Sequence, residues 1–355
     1  MASFNGSSLP PSESCVADVR GSVPPGLSGR MLGIDRDGVV HSVVVTSEFD
    51  ASYQTQQLRA EATVDNVVVF GGTILAFSDD SHAHALSAAL DTFRPVDLAG
   101  QSRLVAPFPK HDPVTRDLHL VARARDGTQS HIIVTAGALT RSGRPIIDVP
   151  RRITDLALTA DRVVFVAPGF VGIAPRTGEA RATWIPTDAP AVRPVHAHDA
   201  DDTVVLLALS PSLERWTLRW GAGSVEREML DPTPRRFAHL SDDGANGAPR
   251  WLWTTGDETI CRHDLVGSQE ARHSLRPHVP GDFAVVSDAA RPDDNNVRYL
   301  VGFVHDPAST TTDLRVTDAA RIGAPAAATV RIPRPIPHGL RWTWIPEITT
   351  DHHSN

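Results

Sequence analysis

The chain has 355 residues, a net charge of -8 at neutral pH and 41% apolar residues. That balance excludes a disordered or fibrous polymer, and it lacks the basic surplus that nucleic-acid recognition needs. No stretch reaches the roughly 18 apolar residues of a membrane span, and two cysteines, Cys15 and Cys261, are too few for a thiolate zinc site.

Residues 1–20 read as a disordered lead, without the basic start and apolar run of a secretory signal. With Cys15 in that lead, no structural disulfide is expected, and a reducing cytoplasm is the expected location. Asp65–Asp79 (DNVVVFGGTILAFSD) predicts a hairpin turning at Gly71-Gly72. His84–Leu90 (HALSAAL) has the spacing of a helical turn, too short to be a bundle element. Leu118–Val134 predicts a second hairpin around Asp126-Gly127, and Ile153–Val166 a third at Ala160-Asp161. Leu213–Leu230 turns at Gly221-Ala222-Gly223, and Val297–Thr317 holds two strands separated at Asp306-Pro307. The 28 prolines and 25 glycines are spread evenly, and no linker divides the chain. The expectation is one all-β domain over 21–347 with few or no helices, followed by a disordered tail over 348–355. Strand pairs in blocks of about 50 residues suggest a propeller of six or seven blades, with a pair of β-sandwiches as the alternative.

Two His-x-His pairs stand out, His82/His84 and His196/His198. On a strand, residues two apart share a face, so together the pairs supply enough imidazoles for a metal. Chance pairing among 16 histidines is the plainer explanation. Lys110 is the one lysine among 34 basic residues, which leaves little room for amine nucleophiles. No nucleophile elbow, phosphate loop or dinucleotide fingerprint is present.

Seven segments, in order, resemble the carotenoid cleavage oxygenases, a family of seven-bladed propellers. SVPPGLSGRMLGIDRDGVVHSVVV (Ser22–Val45) is similar to the family's opening. PFPKHDPVTRDLHLVA, ITDLALTADRVVF and HAHDADDTVVL resemble three blade starts, and LERWTLRWGAGSVEREML a fourth blade. NVVVFGGTILAFSDD with ALDTFRPVDLAG, and the stretch Asp313–Pro346 ending HGLRWTWIP, complete the set. The resemblance runs from about Ser22 to Pro346. It implies an Fe(II) on the propeller axis held by four histidines, with carboxylates accepting the far ring N–H of those ligands. Carried over position by position, the four ligands fall on Phe108, Thr154, His196 and Arg341. The carboxylates fall on Asp79 and Asp282, and the third on Pro232.

Phe108 offers no lone pair to iron, and Arg341 would put a permanent cation where the metal sits. The expectation is therefore a propeller that has kept its scaffold and lost its iron. The catalytic candidates are His196 as general acid/base, Asp282 or Asp79 as its orienting carboxylate, and Arg341 for charge that develops on a carbonyl or enolate. Phe108, Thr154, Asp155, Trp342, His82, His84 and His198 are expected to line the pocket, with Trp342 as an aromatic wall beside Arg341. The leading reading is a metal-independent, cofactor-free enzyme on an apolar polyene-like polyketide or terpenoid. Cyclisation (including a Diels–Alder type), isomerisation and elimination all fit. The alternatives are a non-catalytic binder of apolar ligands and an iron-dependent oxygenase with relocated ligands. A monomer or homodimer, no nucleic-acid partner and no membrane span complete the expectation.

Overall fold

A computed structural model describes residues 13–347, apart from 48–49, 59–63, 80–81, 99–103, 136–140, 179, 241–246, 292–297 and 335. Every regular element among the described residues is a strand, and the strands form seven sheets. The fold is a seven-bladed β-propeller. Among the described residues, no helix is long and apolar enough to cross a membrane.

Each blade is a meander whose innermost strand comes first in the chain, except in blade 1. Blade 2 runs Asn66–Phe70, Thr73–Phe77, Ala83–Leu86 and Phe93–Val96. In blade 3, Leu104–Val105 and Lys110–His111 lie inside Leu118–Arg123, Gln129–Val134 and Arg141–Ile147. Blades 4, 5 and 6 begin at Asp155–Leu158, Arg193–Ala200 and Phe237–Leu240. Blade 7 runs outward from Val279–Ser287 through Arg298–Asp306, Thr311–Asp318 and Ala328–Ile332, and Asp18–Gly21 is added at its edge. The ring closes in blade 1, where the late strand Thr343–Pro346 pairs antiparallel with Gly29–Ile34. Val39–Ser47, Asp50–Gln57 and Glu13–Val16 complete that blade.

Local chemistry explains the meanders. Strands Asn66–Phe70 and Thr73–Phe77 are joined by two residues, Gly71 and Gly72, both at positive φ (55° and 74°). A two-residue hairpin of that hand needs left-handed backbone at both positions, which only glycine adopts without steric cost. The other expected hairpins form at their expected turns. Two expectations change. The stretch read as a helical turn contains strand Ala83–Leu86, because pairing on both sides outweighs a weak local helical preference. Residues 13–16 and 18–21, assigned to the lead, are strands at the outer edges of blades 1 and 7. Residues 1–12 and the tail 348–355 lie outside the described residues.

Blades stack face to face, so inner strands are apolar on both faces and read as near-continuous runs, as in RVVFVA of blade 4. Seven hydrophobic clusters fill the seven interfaces between neighbours. Alternation divides one strand between two of them: in Trp251–Thr255, Leu252 packs toward blade 5 and Trp253 toward blade 7. The closing interface, blade 7 against blade 1, holds Phe303, Leu314, Met31, Tyr53 and Trp342.

Candidate functional site at the propeller axis

The inner strands run in one direction, so their first residues meet at one end of the axis. That end collects charge. The Lys110 ammonium lies 3.2 Å from a carboxylate oxygen of Asp155, the first residue of its strand. Asp155 is 4% exposed. Burial pushes its pKa up, opposed by Lys110, by the Leu156 amide that donates to it and by Arg341. The Arg341 guanidinium lies over the Phe108 ring, 4.7 Å from its centroid. Arg193, which opens the inner strand of blade 5, is within electrostatic reach of Arg341, Asp282 and Asp155. Its pKa is lowered to about 10, first by burial and then by Arg341, so it remains a cation at neutral pH.

Asp282 completes the cluster. One of its oxygens accepts from His239 Nε2 at 2.7 Å and from the Phe283 amide at 2.9 Å. The other accepts from the Trp342 amide at 3.0 Å. A carboxylate with three donors is fixed in place. It holds the His239 ring with its Nε2 proton inward and Nδ1 free of that bond, the orientation a histidine base needs. His239 packs edge-on against Phe283, with ring centroids 4.7 Å apart. A half-open cavity of about 470 Å³ lies between blades 6 and 7, lined by Arg236, Asp257, Glu258, Val279, His305 and His338 among others. Arg236 immediately precedes the strand that carries His239, and His338 stands three residues before Arg341.

Of the residues singled out in the sequence, Phe108, Asp155, Arg341 and Asp282 lie together at this end of the axis. Other candidates lie elsewhere or bond differently. His196 gives its Nε2 contact to the Gly247 carbonyl at 2.9 Å, and Asp282 is bonded to His239 instead. Asp79 is half-exposed and ion-paired with Arg152. Thr154 is exposed, and its hydroxyl donates to the Val166 carbonyl in its own blade. Trp342 is 5% exposed and stacks on Phe303 at 4.0 Å, so its indole belongs to the closing core and not to a pocket wall. His84 stacks on Phe93 at 4.5 Å in the third strand of blade 2, with His82 just before that strand. His198, whose pKa burial lowers to about 4, is on the inner strand of blade 5 with His196. The two His-x-His pairs thus occupy different blades at different distances from the axis.

Three axis residues were not foreseen: Lys110 as a site residue, Arg193 and His239. Lys110 carried a signal, being the single lysine, two positions from Phe108. Arg193 carried none, because the strand bulges between Pro194 and His196. Arg193 pairs with Leu209 and His196 with Leu207, so residues three apart share a face that strict alternation separates.

The donor set does not fit the four-imidazole iron implied by the sequence resemblance. Phe108 and Arg341 occupy two of its positions in contact with each other, and guanidinium groups repel a divalent cation. Among the described residues, the one group of three potential metal donors is Asp231, Cys261 and Glu270, between blades 5 and 6. Both of its carboxylates are ion-paired with arginine.

No family model matches the chain. In sequence it is similar to a carotenoid cleavage oxygenase of Mycobacterium tuberculosis, 26% identical over 151 residues, covering 38% of this chain. That match spans 29% of the relative's length. In structure it superposes on two variants of the Synechocystis apocarotenoid oxygenase with TM-scores of 0.82 and 0.83 at 16% identity, covering 96% of this chain and 97% of each of those. The cobalt-substituted form of the Synechocystis protein gives 0.80, covering 96% of this chain and 98% of that one. The chain thus shares the propeller fold of the Synechocystis apocarotenoid oxygenase over nearly its whole length, and a weak sequence similarity to a carotenoid cleavage oxygenase over part of it.

Proposed function

We propose that this propeller is a metal-independent enzyme that moves protons on an apolar, conjugated small molecule bearing a carbonyl or carboxyl oxygen. The observation that carries the reading is Arg341 over Phe108, with Arg193 and the Lys110–Asp155 pair beside it, in place of an imidazole cage. Cations aimed at an oxygen stabilise negative charge as it develops there, and they do so most strongly where water is excluded. His239, oriented by buried Asp282, takes a proton from carbon through Nδ1. The electron pair left on carbon delocalises to the oxygen, and return of a proton further along the chain shifts the double bonds. The same first step opens a route to elimination or to ring closure, and a shaped pocket selects among them. The apolar, polyene-like tail is suggested by the superfamily's carotenoid and apocarotenoid names.

The test is solvent-deuterium incorporation into a conjugated polyene ketone, followed by mass spectrometry on protein stripped with a strong chelator. Incorporation that survives stripping and falls in His239→Ala and Arg341→Ala supports the reading. Near-stoichiometric iron in the purified protein, with oxygen consumed as a polyene is cleaved, would sink it. Binding without any exchange would place the chain among the non-catalytic binders.

A further inference from the structure

The axis charges are unequally matched. Asp155 is bonded to Lys110, and Asp282 to His239 and two backbone amides. Arg193 and Arg341 have neither a hydrogen bond nor an ion pair among the described residues. Arg341 rests on an aromatic face, and Arg193 repels it across the axis. Elsewhere in the chain arginines from fully buried to exposed are bonded, as Arg235 is to Asp231, half-buried Arg144 to two carbonyls and exposed Arg227 to Glu214. Both side chains are half-buried, so water is the other partner open to their forks, and an arriving anion replaces it with charge-assisted bonds. The formal balance at the axis is three cations (Lys110, Arg193, Arg341) against two carboxylates (Asp155, Asp282). One more negative charge closes it.

We infer that Arg193 and Arg341 form a cradle for a permanent monoanion, the carboxylate head of a substrate whose apolar tail lies in the pocket. A monoanion matches the surplus of one, whereas a phosphate ester dianion would overshoot it. The planar carboxylate also offers one oxygen to each guanidinium fork. The inference rests on the proposed function only for the site it shares. It names the head group and requires no reaction.

The test is calorimetric titration of the full chain with three probes of one tail: deca-2,4-dienoate, its methyl ester and deca-2,4-dienyl phosphate. The expected result is that the carboxylate binds on the order of tenfold tighter than the ester, and that this advantage is lost in Arg193→Met and Arg341→Met. Arg341→Lys, which keeps the charge and loses the fork, should retain part of it, and thermal melts establish that each variant folds. Equal binding of acid and ester, binding of none of the probes, or an advantage untouched by both arginine variants overturns the inference. Phosphate binding tenfold tighter than carboxylate also overturns it. Arginine-dependent carboxylate binding without deuterium exchange would defeat the proposed function and leave the cradle standing. Exchange that proceeds equally on acid and ester would do the reverse.

Discussion

Between blades 5 and 6, Arg235 and Asp231 are both fully enclosed and bonded to each other. Asp231 also accepts from the Thr233 amide at 2.9 Å, and Arg235 donates to the Thr259 hydroxyl at 2.8 Å. At the axis, Arg193 and Arg341 are half-buried, and Arg341 lies over an aromatic ring with Arg193 as a like-charged neighbour. The first arrangement is complete within the protein. Its interface holds the fewest fully buried apolar residues of the seven, Leu209, Leu213 and Leu252, so closed polar pairing carries more of the joint there. The second arrangement is incomplete without a guest. Completeness of pairing, more than charge, separates these two regions of the molecule.

The contrast is open to attack by mutation. Asp231→Ala leaves Arg235 enclosed without its counter-ion, and should cost about 3–5 kcal/mol in urea unfolding. A loss below about 1 kcal/mol would mean that the blade 5–6 pair is as dispensable as a surface bridge. Arg341→Ala should do the opposite. Proton exchange should fall by roughly 10²–10³, while unfolding stability stays within about 0.5 kcal/mol of wild type or rises as repulsion with Arg193 is relieved. A variant that loses stability and activity together would return Arg341 to the structural class.

A third prediction concerns pH. In blade 3, Arg144 donates to His131 Nδ1, which leaves the proton on His131 Nε2 to donate to His119 Nδ1 at 3.0 Å. Both rings are neutral in this chain of bonds. Burial lowers the His119 pKa to about 4, with Asp117 raising and Arg144 lowering it, and holds that of His131 well below 6.5. The folded values lie below the unfolded ones, so this contribution is present above pH 6.5 and declines as pH falls toward 4. For His119 it amounts to roughly 3 kcal/mol. Urea midpoints at pH 7, 5.5 and 4 should fall in that order, and His119→Asn, which keeps an acceptor for His131, should flatten the slope. A profile that is level over this window would refute the neutral pair. The smallest effect is expected at Arg219, exposed and bridged to Glu226. Arg219→Ala should change stability by less than about 1 kcal/mol and leave probe binding unaltered.

Turn chemistry made most of the fold legible. Gly71-Gly72, Asp126-Gly127 and Gly221-Ala222-Gly223 fix their hairpins through backbone conformations decided within four residues, so no distant contact was needed to find them. The site was legible only in part. Phe108 and Arg341 were picked out separately, as two of four positions, and they touch, whereas the aromatic partner expected for Arg341 was Trp342. His196 and Asp79 were picked out by the same comparison and bond elsewhere, to the Gly247 carbonyl and to Arg152. A residue's column in a repeating blade says which strand it belongs to. It does not say which neighbour its side chain will choose.

The sequence by itself determined the strand pairs, their punctuation and the blade-sized spacing, because each is written in residue identities or in dihedral preferences of a few adjacent residues. Only the tertiary structure decided which charges share the axis. Lys110, Asp155, Arg193, His239, Asp282 and Arg341 come from six blade starts and meet only when strand Thr343–Pro346 joins Gly29–Ile34 and closes the ring. That closure is a long-range event, and a single bulge beside Arg193 sets the face from which its guanidinium arrives.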